Sequence, residues 1–242
     1  MAYTPRWFAG QVTTSEASAE IVAPIVVDLL RPRSVVDVGC GLGGWAAAFA
    51  RHGGAEVMGV DGDYVDRSML RIPPDRFKPH DLTKPLDLGR TFDLAISLEV
   101  AEHLPESVAD QFVATLTALA PAVLFSAAVP AQGGNNHINE QWQSYWIRKF
   151  AARGYVPADP VRPKVWDDPR VEWWYRQNTL LFLSEKALAG APELRSLVDD
   201  FRERPADLVH PEMLRQHTEA ASRPIHTLLR RGLVKISRAI KR

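Results

Sequence analysis

The chain has 242 residues, 46% of them hydrophobic, enough for one large domain with a filled core. Its 29 basic and 29 acidic residues balance, so the overall charge offers no case for a nucleic-acid partner, and none is expected. The single cysteine, Cys40, excludes an intramolecular disulfide; no apolar run approaches the roughly 20 residues that span a bilayer, and MAYTPRWFAGQ lacks a leader pattern, so a cytoplasmic enzyme is the expectation.

The opening PRWFAGQ reads either as a lid that brings Trp7, Phe8 or Gln11 to a bound cofactor, or as a frayed terminus. Residues 15 to 31 space Ile21, Ile25 and Leu29 for a helix, with Ser15 or Ser18 as its N-cap. SVVDVGC is short, β-branched and apolar; GLGG and the Ala-rich WAAAFARHG follow it, giving strand, glycine turn and helix, the helix closed by Gly53. EVMGVD predicts a second strand ending at Asp61, FKPHDL a third ending near Asp81, FDLAISL a fourth ending at Glu99, and AVLFSAAV a fifth ending at Pro130. Residues 107 to 120 and EQWQSYWIRKFAARGY read as helices, and WWYRQNTLLFLS as a late strand. Apolar strands alternating with helices predict an α/β domain whose parallel sheet is covered on both faces, spanning residues 1–190. From about Ala191 only helical signals remain, so residues 191–242 read as a helical C-terminal extension.

That extension ends in SRPIHTLLRRGLVKISRAIKR, where Arg223, Arg230, Arg231, Lys235, Arg238, Lys241 and Arg242 are basic and no residue is acidic. Leu228, Leu229, Leu233, Ile236 and Ile240 recur at helical spacing beside them. Such a helix docks on its own domain, joins a second subunit in a homodimer, or makes peripheral contact with an anionic membrane, with polyanion binding as a further use.

In a sheet of this kind ligands bind beyond the carboxyl ends of the strands, where the strand order reverses. Asp37, Gly39, Gly41 and Gly43 form D-x-G-x-G-x-G at such an end, and these glycines let the backbone approach a ligand at a helix N-terminus. Asp61, 24 residues after Asp37, suits the two hydroxyls of a ribose, and Asp81 with Leu82 suits an adenine edge. A tight turn without a ligand and a nicotinamide dinucleotide site are the alternatives, although the latter's fingerprint is G-x-G-x-x-G.

VVDVGCGLGGW, GVDGDYV, HDLTKPL and FDLAISLEVAEHL follow one another as the motifs of class I S-adenosylmethionine-dependent methyltransferases do, and the chain resembles that family over roughly residues 34 to 185. The resemblance implies a Rossmann-like, doubly wound seven-stranded sheet, parallel except for one antiparallel strand, RQNTLLFLS. It also implies S-adenosylmethionine as donor, with Gly62 and Leu98 joining Asp37, Gly39, Gly41, Gly43, Asp61, Asp81 and Leu82 around it. The donor's methyl then points between SLEVAEH and AVPAQGGNNHINEQW.

Glu99 and Glu102 stand at i and i+3, with His103 at i+4, so a helical turn brings them to one face; His137 is a fourth candidate from the loop after the fifth strand. Two carboxylates and two imidazoles suit Mg²⁺ or Mn²⁺, and the pattern resembles the E-x-x-E-H plus later His of small-RNA 2′-O-methyltransferases. The metal-free alternative has the acids accepting hydrogen bonds and His103 packing or capping. In either case His137, with Glu99 and His103 beside it, is the candidate for the catalytic centre, because a hydroxyl acceptor needs a base within reach. Trp142 and Trp146, extended by Trp173, Trp174 and Tyr175, supply aromatic platforms unless they are core. GGNNHINEQWQSYW and VEWWYRQN also resemble bacterial glycan methyltransferases of the methylmannose type, which implies a sugar or oligosaccharide acceptor. Methylation of a small natural product or quinone precursor, and a cofactor-binding module without turnover, remain alternatives.

Overall fold

A computed structural model describes residues 5–222, with side chains described for residues 14–219. Strands β1 (Ser34–Val38), β2 (Glu56–Asp61), β3 (Phe77–Pro79), β4 (Leu94–Leu98), β5 (Ala122–Ser126), β6 (Tyr155–Ala158) and β7 (Leu180–Ser184) form one seven-stranded sheet in the order β3-β2-β1-β4-β5-β7-β6. Strands β1 to β5 are parallel, and β7 runs antiparallel to both β5 and β6. This is the Rossmann-like, doubly wound sheet expected. The strand order reverses between β1 and β4, so the crevice between their carboxyl ends is the natural ligand site.

Helices α1 (Pro5–Leu30), α2 (Gly44–Gly53), α3 (Ala109–Leu119) and α4 (Gln143–Ala151) cover the sheet. Short helices α5 (Arg162–Val165), α6 (Trp173–Asn178) and α7 (Glu185–Leu188) fill the connections around β6 and β7, and α8 (Pro192–Arg202) and α9 (Pro211–Ser222) follow. Successive strand residues point to opposite faces. Thus Val35, Ile96 and Leu124 join one core with Val22 and Val26 of α1 and Phe49 of α2, while Val36, Ala95 and Phe125 join a second with Phe112 and Leu116 of α3 and Phe150 of α4. Both faces being covered explains why the parallel strands read as continuous apolar runs.

Three elements depart from the sequence reading. Helix α1 starts at Pro5, so PRWFAGQ forms its first turns, and neither candidate N-cap serves as one. Ser18 Oγ instead donates to Thr14 O and accepts from Glu172 N, each at 3.0 Å, and Ser15 Oγ bonds Tyr175 OH at 3.0 Å. The lid residues Trp7, Phe8 and Gln11 have side chains outside the described set. Tyr155, read as the end of a helix, opens β6; Pro157 of that strand is tolerated because β6 lies at the sheet edge. WWYRQN, read as strand, is the short helix α6, and β7 begins only at Leu180.

The chain divides into two compact units, Met1–Leu208 and Val209–Arg242, so α8 falls within the unit that holds the sheet. There Leu194 and Val198 of α8 join the first core and Phe201 the second. In the second unit α9 opens with Pro211, and His210 Nδ1 accepts from Glu212 N at 3.1 Å, satisfying one exposed N–H of its first turn. The basic stretch from Arg223 onward lies outside the described residues. Among the described residues no helix is long and apolar enough to cross a membrane.

Candidate active site

The glycine turn is tied to the sheet by its backbone. Gly39 N and Cys40 N both donate to Val60 O, at 2.8 and 3.2 Å, and Gly43 N donates to Cys40 O at 2.8 Å. Gly39 has φ +88°, and a Cβ there would lie 2.4 Å from Val100 Cγ2, so no side chain fits. Cys40 is buried in the core, and its thiol is pushed well up by that burial, then by the charges of Asp37 and Asp61.

Asp37 is 3% exposed, and its Oδ2 meets no hydrogen-bond partner among the described residues. Burial, reinforced by the charge of Asp61, pushes its carboxyl up to about 8, with the Ala46 N–H pulling the other way. Asp61 ends β2 with both oxygens engaged. Oδ2 accepts from Gly41 N at 2.7 Å, and Oδ1 accepts from Gly62 N at 2.6 Å and from Tyr64 OH at 2.5 Å. The Tyr64 ring lies across Gly62, where a Cβ would sit 2.2 Å from its Cε1. Tyr64, 65% exposed, was invisible as a site residue in the sequence; its only signal was its position three residues after Asp61. Asp81 Oδ1 accepts from Thr83 N and Thr83 Oγ1 at 3.0 and 2.6 Å, bonds that hold its carboxyl below the usual range, with Lys84 adding to them. Leu82 is half-buried beside it, and Leu98 is buried at the end of β4.

Beyond β4 the chain turns sharply. Glu99 takes φ +56°, uncommon for a residue with a side chain, and its N–H donates to Ser126 O and Oγ at 3.0 and 3.1 Å. Its carboxylate accepts from Gln132 Nε2 at 2.7 Å and Asn178 Nδ2 at 3.1 Å. Gln177 Nε2 in turn donates to Asn178 Oδ1 at 2.9 Å. Burial raises the Glu99 carboxyl, and the bonds from Asn178, Gln132 and Ser126 oppose that rise. Gln132, Gln177 and Asn178 were not singled out in the sequence, because nothing local links them to Glu99.

Residues 101 to 103 form a single 3₁₀ turn. Glu102 is fully buried, and neither carboxylate oxygen has a hydrogen-bond partner of good geometry among the described residues. Burial and the charge of Glu99 push it well above the usual carboxylate range, with partial relief from the N–H groups of Glu102 and Ala128. His103 is held below the ordinary imidazole range, first by burial and then by His137. The rings of His103 and His137 meet edge to face, centroids 4.9 Å apart. One ligand atom each from Glu102, His103 and His137 lies within 4.8 Å of the others. Of the four candidate ligands, Glu102, His103 and His137 converge, while Glu99 is turned towards Gln132 and Asn178.

The aromatic residues divide. Trp146, Trp173 and Tyr175 are buried, Tyr175 with its hydroxyl pushed up to about 12 by burial, while Trp142 at 40% and Ile138 at 63% are exposed beside His137 in the chain. Trp45 Nε1 donates to Ser15 Oγ at 3.0 Å and to Tyr175 OH at 3.4 Å, so Tyr175 joins α1, α2 and α6 rather than offering a platform.

A reversed strand order with a glycine turn, a buried acid at the end of β1 and a second acid at the end of β2 defines the class as that of the S-adenosylmethionine-dependent methyltransferases of Rossmann-like fold. The chain belongs to the methyltransferase-domain family, whose model matches residues 13–191. Among solved structures it is similar to the sugar N-methyltransferase KedS8 from Streptoalloteichus sp. ATCC 53650, at 15% identity and TM-score 0.59 over 76% of this chain and 94% of that one. It is also similar to magnesium protoporphyrin IX methyltransferase (ChlM) from Synechocystis PCC 6803 with bound S-adenosylmethionine, at 20% identity and TM-score 0.53 over 75% and 85%. A third is DesVI from Streptomyces venezuelae, at 15% identity and TM-score 0.53 over 74% and 95%. At these identities the likeness is one of fold. No curated protein sequence matches the chain significantly.

Proposed function

We propose that the protein transfers the methyl group of S-adenosylmethionine to a hydroxyl of a sugar or polysaccharide. The observation that carries this reading is the convergence of Glu102, His103 and His137 beyond β4 and β5, within 4.8 Å of one another. An alcohol is a poor nucleophile until its proton is taken up, and His137 supplies an imidazole for that purpose. As the hydroxyl oxygen forms its bond to the methyl carbon, the carbon–sulfur bond breaks and S-adenosylhomocysteine leaves with the electron pair. His137 holds the proton lost by the hydroxyl. Asp37, Gly39, Gly41, Gly43, Asp61 and Gly62, with Asp81, Leu82 and Leu98, line the donor's side of the crevice.

The cluster also fits a divalent ion. A fully buried carboxylate without a hydrogen-bond partner is costly alone, and a cation held by Glu102, His103 and His137 would satisfy it. Such an ion, a borderline divalent metal since two of the three donors are imidazoles, would lower the pKa of an adjacent acceptor hydroxyl. The sugar class draws support from exposed Trp142 and Ile138, whose apolar faces suit the C–H face of a pyranose, beside the polar loop that carries His137.

The test incubates the protein with methyl-labelled S-adenosylmethionine and a panel of short mannosides, glucosides, phenols and quinone precursors, with and without chelator. Label in the glycosides is the expected result. Label confined to phenols or quinone precursors reassigns the acceptor, and donor binding with no transfer to any of them makes the protein a cofactor-binding module.

A further inference from the structure

We infer that Glu140 is a positioning residue that fixes the tautomer and direction of the His137 imidazole, an inference that rests on His137 serving the reaction. Glu140 Oε1 accepts from His137 Nδ1 at 2.9 Å and from Gly133 N at 2.8 Å, and Oε2 accepts from Ala131 N at 2.8 Å. Both oxygens are thus occupied, and the carboxylate cannot rotate without breaking a bond. A carboxylate oxygen only accepts, so the proton of a neutral His137 ring sits on Nδ1. The lone pair is then on Nε2, the nitrogen left to serve the cluster with Glu102 and His103.

The loop is shaped for this contact. Ala131, Gly133 and Asn136 take positive φ values of +67°, +71° and +61°, which fold residues 131 to 137 back so that three N–H donors face one side chain. The His137 ring lies against Gly134, where a Cβ would come within 2.2 Å of Nε2, so a side chain at position 134 displaces the ring. On either side of Glu140 the backbone is pinned: Ile138 N and Asn139 N donate to Glu102 O at 2.9 and 3.1 Å, and Gln141 N donates to Ala128 O at 3.0 Å. The segment that carries Glu140 is therefore tied by its backbone to the turn that carries Glu102. Partners of this kind, which bond the far nitrogen of a working histidine, change affinity or activity about 10- to 100-fold when removed.

The test separates this role from that of a mere loop staple. Long-range ¹H–¹⁵N correlation on chelator-treated protein with ¹⁵N-labelled histidine reads the His137 tautomer directly. Protonated Nδ1 and unprotonated Nε2 in the neutral ring are expected, with a mixture of tautomers in Glu140→Ala. In that variant kcat falls about 10- to 100-fold while the dissociation constant for S-adenosylhomocysteine stays within about 3-fold. A wild-type ring protonated on Nε2, or a tautomer unchanged in Glu140→Ala, overturns the inference; the wild-type measurement decides even if the variant does not fold. If instead the tautomers behave as stated but His137→Ala keeps full activity, the reading of His137 as the working base fails while the contact stands.

Discussion

The backbone N–H of Gly41, in the turn after β1, donates to Asp61 Oδ2 at 2.7 Å, so the carboxylate at the end of one strand holds the glycine turn of its neighbour. The acid thus shapes the turn, and under the proposed function it also meets the donor's ribose. Asp61→Ala is expected to weaken S-adenosylhomocysteine binding by about 1–3 kcal/mol, the scale of a lost charged hydrogen bond. Titration calorimetry checks it, and an unchanged affinity removes Asp61 from the donor site.

Tyr64 competes for the same acid. Its hydroxyl donates to Asp61 Oδ1 at 2.5 Å with the ring 65% exposed, so under the proposed function it stands where a ribose hydroxyl would donate. Tyr64→Phe is expected to tighten donor binding by about 0.5–1.5 kcal/mol, the net value of one hydrogen bond. Weaker binding in that variant shows that the phenol assists the donor instead.

Two glycines of the turn predict opposite tolerances. Gly39→Ala sets a methyl 2.4 Å from Val100 Cγ2 at φ +88°, whereas Gly41→Ala, at φ +54°, meets nothing within 4 Å. The first is expected to cost about 2–4 kcal/mol from overpacking and left-handed strain together, the second about 1–2 kcal/mol from strain alone. Thermal unfolding of both variants measures the difference, and Gly39→Ala combined with Val100→Ala recovers most of the overpacking share.

Asp37 predicts a pH dependence of stability. Its folded pKa, about 8, lies above the ordinary unfolded value, so between the two the folded state holds a proton the unfolded chain has released. Stability from this group is complete at low pH and falls as pH rises through about 8, by up to about 1.4 kcal/mol per unit. In donor-free thermal scans between pH 5 and 8 the wild type should lose Tm relative to Asp37→Asn. Parallel profiles would falsify the assignment.

His137→Ala is expected to lower kcat at least about 10²-fold with donor binding nearly intact. Steady-state kinetics with the labelled donor test this, and activity within a few-fold of wild type takes His137 out of the mechanism. Loss of wild-type turnover in chelator, restored by Mn²⁺ or Mg²⁺, assigns Glu102, His103 and His137 to an ion; full turnover in chelator assigns His137 to a metal-free base.

Most strands of the sheet were legible because residues buried on both faces leave continuous apolar runs, as in LAISL and AVLFS. The four residues of β6 carry Pro157 and no such run, so edge position, a property of the folded sheet, decided them. The sheet-end positions of Asp37, Gly39, Gly41, Gly43 and Asp61 were legible because each closes or follows a short apolar strand. Glu99 was not, because helical spacing assumes regular φ, and at +56° its backbone leaves the helix and sends the carboxylate to Gln132 and Asn178. Trp146 and Trp173 read as platforms only while their burial was unknown.

The antiparallel course of β7 has a consequence for how the site comes into being. Because β7 runs against β5, its beginning lies where β5 ends, and Asn178, two residues before Leu180, reaches Glu99 at 3.1 Å. The glycine turn and the acids after β1 to β3 all precede Leu98, and Gln132 reaches Glu99 at 2.7 Å soon after, yet the second bond to that carboxylate awaits residue 178. On the ribosome, a nascent chain released as far as His137 still lacks the second of the two carboxamides that bond Glu99. Vectorial synthesis thus leaves the second clamp on Glu99 for last, and in a fragment ending before Asn178 that carboxylate is held by Gln132 alone.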